Sequence, residues 1–459
     1  MLPEWTAVGF SGHRKLENPD GVAEGIQKTL ARLQDKHGPL LTISSAASGA
    51  DTLFLEEVSR KKLPFRIVLP FERKVFERDF DPQAWQRVLP LLDQALFVQE
   101  ISGIRSRKEA FLEAGVLSVE AADVMIFVWD GKPAAGIGGT GDVVDYARAL
   151  GKPLIIIDAA TGNVVAEEAL EKLAPRKTQT NWNENPRAAV EERFQEFRKG
   201  ANRRAPLARH LIIWVIVLQL GSSAIGIFGL TENAKGPYWN SLELLVLIVA
   251  GILVVLHRNL QHDWIENRLR TELCRSFLAI WSLPRGTSFF PCMLLRGCEK
   301  LSRSLQIAWY LDRSVSCSFE EVRDGYLVNR IEGQLNFFKR SYERARRYSR
   351  IMSWFAWATA AAAIGFSAII SWLPHWAHIV SVMLPMLSAA LLTLLVSREH
   401  SRRGVLYQEM ALGLDSLRKR FEATRNWAGL FRLVTETEEC LLYEVAEWYS
   451  FVRFTGVLH

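Results

Sequence analysis

Four apolar runs in the second half of this chain restrict what it can fold into. They are residues 207–230 (LARHLIIWVIVLQLGSSAIGIFGL), 238–257, 353–373 (SWFAWATAAAAIGFSAIISWL) and 377–397 (AHIVSVMLPMLSAALLTLLVS). A bilayer core needs about 20 such residues per helix. Soluble helices bury one stripe and leave the other face polar. Here tryptophans stand near the run ends, at Trp239, Trp354, Trp372 and Trp376, the level at which aromatic side chains meet headgroups. The expectation is four transmembrane helices arranged as two hairpins.

Flanking charge sets their direction. RKGANRR precedes the first run and HRNLQ follows the second; KRSYERARRYSR precedes the third and SREHSRR follows the fourth. The connecting loops, TENAKGP and PH, hold one lysine between them. The positive-inside rule then puts both termini in the cytoplasm. Three stretches keep helical rhythm on the cytoplasmic side: Val328, Ile331, Leu335, Phe338 and Tyr342; Leu406, Met410, Leu414, Leu417 and Phe421; and Leu441, Val445, Trp448 and Val452. Apolar stripes of this spacing read as a helical stalk. We expect it to offer a seam through which copies of the chain pair, with its basic residues near anionic headgroups.

The first half has different chemistry. Short apolar runs at Ala7–Phe10, Leu40–Ile43, Arg66–Leu69, Ala95–Val98, Val124–Val128 and Leu154–Ile157 alternate with amphipathic segments such as VAEGIQKTLARLQ and DTLFLEEVSRKK. Buried strands alternating with helices predict an α/β doubly wound, Rossmann-like sheet. The expected domains are 1–175, a basic linker and helix at 176–206, and a membrane domain at 207–459. Charged residues are 23% of the chain, too mixed with apolar ones for disorder. The five cysteines, Cys274, Cys292, Cys298, Cys317 and Cys440, are odd in number and lack metal-ligand spacing. Reduced cytosolic thiols and no metal site are expected. MLPEWTAVGF lacks the pattern of a secretory signal, so the first half is expected to fold in the cytosol.

Doubly wound sheets bind ligands outside the carboxyl ends of their strands, and three loops qualify. In GFSGHR, Gly9 and Gly12 let backbone amides approach an anion, Ser11 can donate, and Arg14 offers a fork for phosphate. His13 suits phosphate or ribose, or a structural role. In SSAASGAD, Ser48 and Gly49 open a helix, and Asp51 reads either as a helix-start charge or as a ribose acceptor. In WDGKPAAGIGGTG, Gly138, Gly139, Thr140 and Gly141 bare the backbone before the helix DVVDYARAL, and Asp130 follows the strand. Phe71, in LPFERK, can stack on a base or belong to the core. Together the loops favour a nucleotide-like small molecule, with no catalytic residue, cofactor or direct nucleic-acid contact expected.

GFSGHR, SAASGAD, LPFERKVFERDF, AADVMIFVWDG and GIGGTGDVVDYARALGKPLIIID occur in this order. Residues 5–160 thereby resemble the SLOG superfamily of Rossmann-like nucleotide sensors, relatives of the LONELY GUY phosphoribohydrolases. The membrane half resembles SLATT-type effector regions, with patterns such as YLVNRIEGQLNFF. The resemblance implies a multi-pass protein of the bacterial inner membrane acting in antiphage defence. It would sense a nucleotide-derived second messenger, a cyclic nucleotide or an ADP-ribose derivative, and then oligomerise and disrupt the membrane. The alternative is a membrane-tethered phosphoribohydrolase. Against it, the LONELY GUY pattern PGGxGTxxE is incomplete: Ile137 replaces proline, Asp142 falls at the threonine, and Val144 and Asp145 fall where paired glutamates stand. Asp145 alone survives. A constitutive transporter is less favoured, because the runs carry few ionisable groups beyond His210 and Glu243.

Overall fold

The structure is a computed structural model that describes residues 2–103, 106–134, 136–173, 185–229, 237–284, 298–312, 317–369, 372, 377–397 and 400–454. The chain divides into two compact units, residues 1–192 with 284–315, and residues 193–283 with 316–459.

The first unit is built on a seven-stranded sheet: β1 Thr6–Gly12, β2 Leu40–Ser44, β3 Phe65–Leu69, β4 Phe97–Glu100, β5 Val124–Trp129, β6 Leu154–Asp158 and β7 Val164–Glu168. The spatial order is β4-β3-β2-β1-β5-β6-β7, parallel except for β7, which runs antiparallel to β6. The helices between strands are α1 Pro19–His37, α2 Ala50–Arg60, the short α3 Arg73–Phe76, α4 Pro82–Gln94, α5 Arg107–Ala121 and α6 Thr140–Ala149. All six residues of β5 are buried, because helices cover both faces of a parallel sheet. Val124, Ile126 and Val128 join Phe10, Ile26 and Phe54 in one core. Met125, Phe127 and Trp129 join Val143 and Ile156 in the other.

Helix starts follow capping chemistry. Asn18, Asp81 and Ser106 each accept a first-turn amide hydrogen at α1, α4 and α5, with proline following in the first two cases. One element comes from far along the chain. α9, Glu299–Leu311, belongs to this unit. Its Ile307 packs with Trp5 and Leu41, and Tyr310 stacks on Phe97 at 5.9 Å. Arg303 pairs with Asp123 and donates to the Trp5 and Ala121 carbonyls. These partners lie where the strands begin, and a domain boundary at residue 175 leaves this helix out.

The second unit is helical. α7 Pro186–Gly229 enters it from residue 193. It continues with α8 Pro237–Ala279, α10 Phe319–Tyr326, α11 Gly333–Ile369, α12 Ala377–Ser397, α13 His400–Ala423 and α14 Trp427–Phe454. α11 packs on α12 and α13, and α8 on α14. Among the described residues, three helices are long and apolar enough to cross a membrane: Pro186–Phe228, Tyr238–Ala279 and Phe319–Ile369, with mean hydropathies of 2.2, 2.3 and 1.4 in their best windows. At most 11% of each window is buried, so the apolar surface faces outward as lipid requires. The expected fourth span coincides with α12, whose described apolar core is the shorter Val380–Leu392; the count of four is therefore not reached on length. The expected outer loops, 231–236 of TENAKGP and PH at 374–375, the 174–184 part of the linker, and Cys292 lie outside the described residues, as do the side chains of Trp448 and Val452.

The cytoplasmic stripes are core within one chain. Ile331, Leu335 and Phe338 are buried, as are Met410, Leu414, Leu417 and Phe421 on the helix that packs against them. The seam expected between copies is thus occupied internally. Val328 departs from the stripe and is 56% exposed. The reason is a π-helical stretch, Leu327–Glu332, joining α10 to α11. A π turn holds an extra residue and shifts the phase of everything before it.

The stretch also carries a buried ion network. Arg330, 3% exposed, forks onto Glu438 of α14 (Nε–Oε1 2.8 Å, Nη2–Oε2 2.6 Å) and reaches Glu272 of α8 at 3.0 Å. Tyr326 and Ser276 donate hydroxyl hydrogens to the same Glu438 carboxylate at 2.7 and 2.6 Å. Three helices are therefore keyed together by groups that would be costly to bury alone.

Candidate functional site

Strand order reverses between β1 and β5, which makes their carboxyl ends the switch point of the sheet. The loops after β1, β2 and β5 meet there. The His13 amide donates to the Val128 carbonyl at 3.1 Å, and Ala50, at the start of α2, donates to the His13 carbonyl at 3.0 Å. His13 Nε2 lies 3.0 Å from Asp130 Oδ1 and 3.2 Å from the Asp130 amide nitrogen. One tautomer donates to the carboxylate and the other accepts from the amide. The Lys132 amide, with His13 as a further partner, holds the Asp130 carboxyl below its usual range.

Asp51 organises these loops from beneath. It is 2% exposed and accepts from Ser44 Oγ at 2.9 Å, Ser45 Oγ at 3.0 Å and the Gly12 amide at 3.3 Å. Burial pushes its pKa up to about 6, against the downward pull of those donors. Through these bonds Asp51, at the start of α2, joins β1 and β2. Gly49 adopts φ +94°, and a Cβ there would sit 2.2 Å from the Arg14 carbonyl oxygen. Only glycine permits that approach without strain. Ser11 and Ser48 are half-buried on the same loops.

The loop after β5 is held by α5. Gly138 has φ +88°, and its added Cβ would meet the Lys108 carbonyl at 2.4 Å. Its amide donates to Asp142 Oδ2 at 2.8 Å, so one amide expected to face a ligand is satisfied internally. Neither α2 nor α6 has a side-chain cap at its start, where Gly49 and Gly139 stand. At α2 the Ala50 and Thr52 amides donate to the His13 and Ala47 carbonyls, so the start of α6 is the better placed of the two for an anion. Thr140 and Gly141 are buried in the first turn of α6, and Asp145 is exposed one turn on.

Two side chains beyond the expected set complete the rim. Arg14 lies over the Phe111 ring at 4.2 Å, and Arg107 over the Phe71 ring at 4.5 Å. The two rings meet edge to face, 5.5 Å apart at 88°. Arg107 also pairs with Asp79. The result is a cation–aromatic row in which each guanidinium is pre-oriented by a ring. It suits a phosphate at the arginines, and Arg107 already covers one face of Phe71. The sequence signal for this row was SRKEAF, a capped helix start with a cation and an aromatic four residues apart. Among the described residues no cluster of metal-ligating side chains occurs.

A protein-family model described as SMODS and SLOG-associating 2TM effector domain 1 matches residues 326–448. This region is similar to SLATT domains. It takes in the π stretch, α11 to α13 and most of α14, and it encloses the third and fourth apolar runs. Among solved structures, the X-ray structure of a structural-genomics target named TM1055 is similar over 34% of this chain and 76% of its own, at 21% identity and a TM-score of 0.23. No curated protein matches the chain. The doubly wound character of the first unit rests on its own strand order. The likeness to SLATT domains and the long apolar helices associate the second unit with a membrane.

Proposed function

We propose that this chain is a membrane effector of bacterial antiphage defence, controlled by a nucleotide-derived signal bound at the β1/β5 switch point. The observation that carries this reading is the SLATT match on the same chain as a doubly wound unit, since the family's description pairs such effectors with SLOG domains. In this reading the first unit is SLOG-like. Arg14, Arg107 and the uncapped start of α6 hold phosphate, while His13 and Asp130 read ribose. The signal is a cyclic nucleotide or an ADP-ribose derivative that is bound without turnover. Four spans, with both termini cytoplasmic, assemble with other copies, and the assembly opens the membrane. A ligand shifts such an equilibrium only by binding one state better. α9 is the element to convey the difference, because it leads from the sheet back to the chain on either side, toward both hairpins.

The test uses full-length protein in liposomes loaded with a self-quenched dye. ADP-ribose and a panel of cyclic dinucleotides are added outside the cytoplasmic face. One of them should release dye, and Arg14→Ala should suppress the release. Dye release without any nucleotide, or none with the whole panel, would reject a nucleotide-gated effector. Free base appearing with any of these nucleotides would favour the phosphoribohydrolase instead.

A further inference from the structure

The second unit contains a cavity of about 420 Å³ between α7, α8, α11 and α14. Each helix lends it one face. Trp264, Arg268 and Arg275 lie on one side of α8, at steps of four and seven. Arg198 comes from α7, Gln334 from α11 and Glu444 from α14. Three arginines therefore line a space with two glutamates, and one of these, Glu272, is already shared between Arg275 at 2.7 Å and Arg330 at 3.0 Å.

The guanidiniums are also positioned. Arg198 and Arg275, on different helices, lie over the same Phe194 ring at 5.9 and 5.6 Å. Beside the carboxylate of Glu272, guanidiniums brought this close also attract a further oxyanion placed among them. Planar forks stacked on a ring favour an oxyanion with several acceptors. The depth suits two sources. Arg198 precedes the apolar run of α7 by nine residues and Trp264 follows that of α8 by seven, so both stand roughly 10–14 Å along their helices from the hydrocarbon edge. Arg275 lies a further eleven residues into the cytoplasm.

We propose that this cavity binds a phosphate-bearing anion, either the headgroup of an acidic phospholipid or a soluble phosphate compound, and that Arg198, Arg268 and Arg275 recognise it. The site is separate from the switch-point crevice and does not depend on the signal bound there.

The full-length chain is placed in phosphatidylcholine nanodiscs and titrated with inorganic pyrophosphate by calorimetry. Binding should be seen, and the double variant Arg198→Gln/Arg268→Gln should weaken it about tenfold or more, since each lost contact is charge-assisted. Gln334→Glu, which adds a carboxylate to the wall, should do the same and carries the test if the double variant misfolds. Arg14→Ala, in the first unit, separates pyrophosphate bound there from binding in the cavity and should leave the latter unchanged. Repeating the titration with phosphatidylglycerol in the discs distinguishes the sources: competition points to lipid phosphate and unchanged affinity to a soluble ligand. Absence of pyrophosphate binding in neutral discs, or binding indifferent to both cavity variants, overturns the proposal.

Discussion

Arg303 reaches across 180 positions of chain to the Asp123 carboxylate, and in doing so fastens α9 to the edge where the sheet's strands begin. Asp123 also accepts from the Ala7 amide at 3.0 Å, so one carboxylate ties together β1, the approach to β5 and the distant helix. The candidate ligand crevice lies at the other end of the same two strands. A change in the spacing of β1 and β5 therefore meets α9 directly.

Arg303→Ala should loosen α9 without unfolding the sheet. Asp123 keeps one backbone donor, and the pair is only partly buried, with side-chain exposures of 17% and 22%. The expected loss is about 1–3 kcal/mol. Hydrogen exchange of the full chain in nanodiscs should rise over residues 298–312 and stay unchanged in β5. Protection of α9 equal to that of the native chain would remove the arginine's assigned part.

Asp51 gives the first unit a distinctive pH response. Its folded pKa of about 6 lies above the unfolded value, which is ~3.9. Its stabilising contribution is complete below the unfolded value, where both states hold the proton, and is lost as pH rises through about 6. The loss by neutral pH is at most about 3 kcal/mol. Melting curves of full-length Asp51→Asn should gain on the native chain between pH 4 and 7.5. A constant difference across that range would contradict the assignment.

Gly49→Ala should damage the site more than its size suggests. The new methyl would press on the Arg14 carbonyl in a left-handed backbone, a strain of about 1–3 kcal/mol. The loop bearing His13 and Arg14 should shift, and nucleotide-dependent dye release should fall. Unchanged release would show that the approach of these two loops is irrelevant to gating.

Leu335→Glu and Val328→Glu should differ sharply although both positions sit on one sequence stripe. Leu335 is 5% exposed and Val328 is 56% exposed. The first should destabilise the chain by several kcal/mol through a buried unpaired carboxylate, and the second should stay within about 0.5 kcal/mol. Chemical melts in nanodiscs that rank them the other way would contradict the packing of α11 on α13.

Arg330→Met should strand Glu438 in a buried position, while Glu272 keeps Arg275, and cost about 3–5 kcal/mol. Adding Glu438→Leu should recover part of that loss, because the unpaired charge goes with it. A double variant no better than the single one would mean that the network's geometry, rather than its charge balance, holds these helices.

The sheet was legible because parallel strands bury both faces, and five of the six expected apolar runs lie within strands β1, β2, β3, β5 and β6. The sixth, Ala95–Val98, yields β4 from Phe97 onward, since Ala95 ends α4. β7 was missed: VVAEE is short, exposed and antiparallel at an edge, with no continuous apolar run. The loops of the site were visible through their glycines. Arg107 and Phe111 were not, because their function depends on Phe71 and Arg14 arriving from other elements. Nothing in EKLSRSLQIAWYL says that its apolar face belongs to a sheet nearly three hundred residues upstream. Val328 was misplaced by assuming a uniform helical period through a π stretch.

That stretch makes chain length itself a structural quantity. Between Leu327 and Glu332 the helix carries one residue of slack. Deleting it would turn the preceding segment by about 100° and draw it ~1.5 Å along the axis. Arg330's place between Glu272 and Glu438 would then fall to a neighbour, Asn329 or Ile331, neither of which can answer two carboxylates. Conservative substitutions around the stretch can be absorbed one at a time, but a single-codon deletion there cannot. The number of residues in this segment, more than their composition, is what the helical unit holds fixed.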